Sequence, residues 1–218
     1  MSSIIKVDTI SEKTSAAGVT IDGVTLKDSK IGGTITIPGS TGTMALTSDI
    51  SSGGLVHIST DTFTTVSNFE KDSVFSATYD IYKIFITMDT TNNINSSINF
   101  EMRGSSSNVT SNYVGQRWYS NIGGTSLVIA DTGTSSWYIA DPGGTDPNRF
   151  GAEITLFNPA SAEDTTFRSI AQGPYASAYY TQISYGYNSN NTAYDGFNLN
   201  YSGTQMTGKV STYGLALS

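Results

Sequence analysis

The sequence predicts an all-β protein, a short intertwined β stem followed by a jelly-roll-like β-sandwich. Three observations carry this. Apolar residues recur with period two along most of the chain, and no stretch shows the 3.6-residue period of a helix. Turn chemistry separates these runs, as at Asp22-Gly23 and in "DPGGTDPN" at 141–148. Charged residues make up only 13% of the chain, below the ~25% usual for soluble domains. Ser, Thr, Asn and Gly, with 13 Tyr, take their place, a composition suited to short strands and uncharged hydrogen-bonding surfaces.

At the N-terminus, residues 1–15 hold one strand-like run, Ile4-Ile5-Lys6-Val7, before a polar stretch. Residues 16–46 alternate apolar and small polar positions, with Val19, Ile21, Val24, Leu26, Ile31, Ile35 and Ile37 as the apolar set. Each gains ~1.5–3 kcal/mol only where it is fully buried. Ordering the backbone costs ~1–2 kcal/mol per residue, so the segment falls short on its own. It must pack on its own copies or on a partner, which is the mark of an assembly segment. The Ser/Gly content of "TSDISSGG" reads as a hinge at 51–54. Residues 1–50 are thus expected as a stem and residues 55–218 as one β domain.

Within that domain the strand signals follow in order. Residues 56–60 come first, then 81–88, "IYKIFITM", whose nearly continuous apolar run marks a central strand. Ile98, Phe100 and Met102 alternate with polar neighbours. Shorter signals lie at 116–119, 127–130, 137–140, 152–157 and 167–171. Over 179–187, Tyr179, Thr181, Ile183, Tyr185 and Tyr187 share one face, and the company of Ile183 places Tyr185 and Tyr187 inside. Phe197, Leu199 and Tyr201 form a further alternating strand, and 210–215 closes the series. About ten such strands without helix periodicity describe a β-sandwich.

Charge and length exclude several functions. The formal net charge is −7 and the 11 Lys plus Arg are spread thinly, so a phosphate backbone is repelled and no nucleic acid is expected as partner. No apolar run approaches the ~18–20 residues of a membrane span. "MSSIIKVDTISEK" lacks the apolar core of a signal peptide, so export by the general secretory route is not expected. With no cysteine, disulfides and thiolate metal sites are both absent.

Catalytic chemistry finds little to stand on. His57 is the sole histidine, on the polar side of a strand, and no G-x-S-x-G elbow accompanies it. Carboxylates such as Asp61, Glu70, Asp72, Asp141, Asp146, Glu153, Glu163, Asp164 and Asp195 fall mostly in turns. The loop 141–148 has two Asp and two Gly that could hold calcium, yet its two prolines and its spacing favour a rigid turn. No catalytic residue, metal site or cofactor is therefore expected. Aromatic residues remain. Tyr175 and Tyr194, in polar loops, with Trp137 and Trp118, are the candidate receptor-binding residues.

Several phrases resemble a known group. "IIKVDTI", "GVTIDGVTLKD" and above all "TGTMALTSDI" at 41–50 are similar to tail-fibre and related virion proteins of tailed bacteriophages. "YDIYKIFITMD" at 79–89 and "SGTQMTGKVSTYGLA" at 202–216 resemble the C-terminal β-sandwich of such fibres. The resemblance implies a homotrimer located in the virion and assembled in the host cytoplasm. Residues 1–50 would anchor it to other virion proteins and the head would meet a host surface glycan or protein. It supplies no catalytic motif. The short N-terminal region points to a stubby fibre, and a decoration or adaptor protein without a receptor, or a carbohydrate-active enzyme, are the alternatives.

Overall fold

Alternating residues become paired strands wherever the computed structural model describes the chain, at residues 19–21, 24–27, 30–32, 54–91, 96–121, 124, 126–141, 148–175 and 178–216. No helix occurs among these residues, and the strands are antiparallel throughout. The chain divides into two compact units, Met1–Ser51 and Ser52–Ser218.

In the first unit, β1 (Val19–Ile21), β2 (Val24–Lys27) and β3 (Lys30–Gly32) form a three-stranded sheet. Val19 pairs with Leu26, Ile21 with Val24, and Leu26 with Ile31. Directly paired residues share a face of an antiparallel sheet. The register therefore collects these five apolar positions on one face and leaves Thr20, Thr25, Lys27 and Lys30 for the other. Ile35 and Ile37, and the Ile4–Val7 run, lie outside the described residues.

Among the described residues the second unit holds thirteen strands. They are β4 (Gly54–Val66), β5 (Asn68–Lys71), β6 (Ile81–Thr91), β7 (Ile98–Gly104), β8 (Ser107–Asn108), β9 (Tyr113–Asn121) and β10 (Ser126–Thr134). There follow β11 (Trp137–Ala140), β12 (Asn148–Phe157), β13 (Thr165–Tyr175), β14 (Ala178–Asn188), β15 (Gly196–Tyr201) and β16 (Gln205–Ala216). One sheet runs β10-β9-β14-β13-β12-β6-β16-β4, the other β11-β7-β15-β5 with β8 hairpinned on β7. The all-β expectation matches the structure, and the two antiparallel sheets are consistent with a β-sandwich.

The core lies where the two sheets face each other. Tyr82, Ile84, Ile86 and Met88 of β6 are buried with Ile154 and Leu156 of β12 on one side. Phe100 and Met102 of β7 and Phe197 and Leu199 of β15 are buried on the other. Ring contacts cross between the sheets. Trp137 of β11 stacks on Phe167 of β13 with centroids 4.6 Å apart and planes at 9°. Phe63 of β4 meets Phe69 of β5 at 4.9 Å. Tyr113, at the start of β9, accepts the Met102 N–H at 2.8 Å and donates to the Val109 carbonyl at 2.9 Å. Burial pushes its phenol pKa up.

Strands β9, β10, β13 and β14 stand apart in one respect. They extend the larger sheet beyond β12, which itself pairs with β6. Two stretches of chain, 113–134 and 165–188, supply that extension, and β11 of the smaller sheet lies over its inner face through the Trp137 ring.

Candidate functional site

The outward face of the extension carries the candidate site. On β14 the buried side chains are Tyr180, Gln182, Ser184 and Asn188, whereas Tyr179 (65% exposed), Tyr185 (48%) and Tyr187 (40%) face outward. The interior placement expected for Tyr185 and Tyr187 is thus corrected. At the level of 185–187 the inner side is already occupied. Trp137 lies there against Phe167 and Tyr113, and the opposing strand positions are Gly115 and Gly186. A Cβ on Gly186 would fall 2.1 Å from the Val114 carbonyl oxygen.

Strand register then assembles residues remote in sequence. Trp118 of β9 pairs with Val128 of β10 and with Ile183 of β14, and Ile183 pairs in turn with Ile170 of β13. Val128, Trp118 and Ile170 are exposed, forming an apolar row across the sheet. Tyr185 bonds through its hydroxyl to the Gln116 side-chain oxygen beside that row.

Beside this row, over the paired positions Ser120, Thr181 and Gln172, is a cleft of about 530 Å³. Trp118, Ser120 and Asn121 of β9 line it together with Gln172 of β13 and Tyr179 and Thr181 of β14. Among the described residues no charged side chain contributes to its wall. Gln172 is exposed, and Ser120, Asn121 and Thr181 are half-buried. The cleft thus combines two accessible rings with amides and hydroxyls that both donate and accept hydrogen bonds.

A smaller cavity of about 30 Å³ adjoins it, lined by Tyr119, Asn121, Asp141, Tyr180 and Gln182. Asn121 and Tyr180 belong to both. Gln182 is fully buried; its Nε2 donates to Ser184 Oγ at 3.0 Å, and its Oε1 has no hydrogen-bond donor among the described residues. Burial pushes the Asp141 carboxyl up to about 6, opposed by the positive charge of Arg117. Arg117 lies 3.6 Å over the Tyr138 ring and 3.3 Å from the Asp131 carboxylate.

Of the residues singled out from sequence, Trp118 (36% exposed) lies in the cleft. Trp137 and Tyr194 are corrected. Trp137 is only 3% exposed because its indole fills the space between the sheets, and Tyr194 only 2%, its hydroxyl donating to Asn188 Oδ1 at 2.7 Å. Neither presents a surface to a receptor. The Tyr175 backbone ends β13 opposite Ala178, one pair beyond Pro174 and Tyr179, and its side chain lies outside the described residues. Residues 142–147, the body of the loop weighed for calcium, lie outside them too.

Four of the candidate carboxylates are engaged in ion pairs. Lys71 pairs with Asp61 at 2.8 Å, Arg103 with Asp72 and Glu70, and Lys83 with Glu153. His57 is exposed, its Nε2 2.8 Å from Thr60 Oγ1 and its ring edge-on to Tyr213. Among the described residues no three His, Cys, Asp or Glu cluster as metal ligands, and no helix is long and apolar enough to cross a membrane.

Sequence reasoning missed Ser120, Asn121, Gln172, Tyr179 and Thr181 as a group. The available signal was the pair Tyr179-x-Thr181 on one face of a strand, but only the register with β9 and β13 turns it into a site. Comparison with protein-family models, curated proteins and solved structures finds no match for this chain.

Proposed function

We propose that the chain is a homotrimeric structural fibre protein of a tailed-phage virion that mediates attachment to a host surface. Residues 1–50 would form the anchoring and trimerising stem, and residues 55–218 the outward head. The observation that carries this reading is the one-sided sheet β1-β2-β3. Its strands are three or four residues long, and Val19, Ile21, Val24, Leu26 and Ile31 share one face. A sheet so small is stable only when that face is covered. Copies of the same sheet around a threefold axis cover it symmetrically.

The head supports the reading in two ways. Eight of its strands pair as β4-β16-β6-β12 and β5-β15-β7-β11, and the chain changes sheet between nearly all successive members. That order accords with jelly-roll connectivity. The accessible aromatic cleft lies on the strands added to this set, where a receptor would be met.

Light scattering on the purified protein tests assembly: three times the chain mass is expected, and a monomer overturns the reading. Removing residues 1–52 should leave a folded β domain with weakened trimerisation. Binding of the labelled full-length protein to host cells tests attachment, and its absence would favour a decoration or adaptor role.

A further inference from the structure

We propose that the Trp118–Tyr179 cleft is a binding site for an uncharged glycan. The proposal rests on the attachment reading for the source of the ligand, and on the cleft itself for its chemistry.

Size comes first. At about 530 Å³ the cleft falls within the ~300–1,000 Å³ typical of small-ligand sites, enough for one or two sugar rings of a longer chain. Shape follows from the strands: an open trough on a sheet face admits an internal segment of a polymer as readily as its end.

The two rings supply the apolar half of the recognition. Trp118 and Tyr179 keep 36% and 65% of their surfaces in water in the free protein. Burying that area under a ligand is favourable. A pyranose presents a face of C–H groups bearing slight positive charge, which suits the negative face of an aromatic ring. Phosphates and extended charged peptides have no comparable flat apolar face.

The polar half matches hydroxyl groups. Each sugar hydroxyl both donates and accepts, so a site for it needs both capacities close together. Gln172 and Asn121 each carry a carbonyl oxygen and an NH₂, and Ser120 and Thr181 each a hydroxyl. Asn121 sits on the wall common to the cleft and the buried Asp141–Gln182 cavity, so the inner cavity backs one of the groups that would read the ligand.

Charge then selects among glycans. Among the described residues no cationic side chain lines the cleft, and the chain carries a formal net charge of −7. A sialylated, uronic or phosphorylated sugar would enter without a counter-charge and against the field of the whole protein. Neutral hexoses and N-acetylhexosamines carry no such penalty.

A glycan array probed with full-length protein, spanning neutral and acidic bacterial and model saccharides, tests the proposal. Neutral glycans should bind, and Trp118→Ala and Tyr179→Ala should each weaken binding by roughly tenfold or more. Both changes lie on an exposed face, so circular dichroism and light scattering should match the parent protein. Trp118 emission should shift on adding the bound saccharide, whereas the sealed Trp137 should not respond. Binding confined to acidic glycans, or neutral binding indifferent to both substitutions, overturns the proposal. Host adsorption read in parallel separates the two ideas. Adsorption that survives both substitutions leaves attachment standing and removes this site, as does adsorption destroyed by protease treatment of the cells and spared by glycosidase. Neutral-glycan binding lost on Trp118→Ala without host adsorption keeps the site and removes the attachment role.

Discussion

Arg103, on β7, donates through Nε to Asp72 Oδ1 at 2.7 Å while its Nη1 stands 3.0 Å from a Glu70 carboxylate oxygen. The guanidinium is almost wholly buried, and its remaining N–H groups reach the Asn108 side-chain oxygen and, at 3.0 Å, the Ser106 carbonyl. One side chain therefore ties β7 to β5, the segment just after β5, and the β7–β8 hairpin. Replacing it removes the cation and leaves carboxylates without a partner. Because Asp72 and Glu70 keep 35% and 50% of their surfaces in water, Arg103→Met should cost about 1–3 kcal/mol in urea unfolding at neutral pH. The Asp72 carboxyl is held below its usual range chiefly by the hydrogen bond from Arg103. Its contribution is present above the ordinary carboxylate pKa and is lost as pH falls through the lowered folded value. Asp72→Asn should flatten that acid limb.

Asp141 behaves in the opposite sense. Burial raises its pKa to about 6, so the folded state holds the proton more tightly than the unfolded chain. Stability is fully present below the unfolded carboxylate pKa and declines as pH rises toward 6. With partial exposure allowed for, the loss is roughly 2 kcal/mol. Asp141→Asn should recover that amount at pH 7 and remove the slope between about pH 4 and 6. Urea midpoints measured across this range check it; an unchanged slope in the variant would place the titration elsewhere.

Gly186 should tolerate no side chain. A Cβ there meets the Val114 oxygen at 2.1 Å and Gly115 Cα at 2.7 Å, backbone atoms that cannot swing aside. Gly186→Ala must part β9 from β14, at a cost of about 1–3 kcal/mol or more. Because Trp118 and Tyr179 sit on those same two strands, cleft binding should fall with stability. Gly133→Ala, at a position with open space but φ +66°, should lower stability without affecting the cleft.

The turn between β7 and β8 is strained by its residues. Ser105 and Ser106 adopt φ of 52° and 63°, the left-handed pair of a two-residue hairpin, where Asn-Gly fits best. Ser105→Asn with Ser106→Gly should raise stability by about 0.5–1 kcal/mol, seen as a higher midpoint with an unchanged denaturant slope.

Period-two alternation made most strands legible, and the run 81–88 did become a strand deep in the larger sheet. β5 escaped notice because three of its residues, Asn68, Glu70 and Lys71, are polar and it is an edge strand. Alternation also failed to say which face goes inward. Over 179–187 both faces carry tyrosine, and what decides is the close approach of β9 and β14 at Gly115 and Gly186, where a Cβ on Gly186 would strike the Val114 backbone. Tyr194 read as exposed because it lies in the Asn-rich stretch 188–196, a composition typical of loops. Its loop instead folds inward, with Tyr194 N–H bonded to the Pro159 carbonyl at 2.8 Å. The cleft was least legible, since pairing between distant strands creates it.

That pairing has an evolutionary consequence. Trp118, Ser120 and Asn121 come from the stretch 113–134, and Gln172, Tyr179 and Thr181 from 165–188. The other strands of the head form a framework to which neither stretch is internal. On the glycan-binding proposal, ligand preference would drift by changing two cassettes while the scaffold stays fixed. Each cassette holds half of the trough, so recombination that imports only one would join mismatched halves. Exchanging both together between related proteins should transfer preference intact.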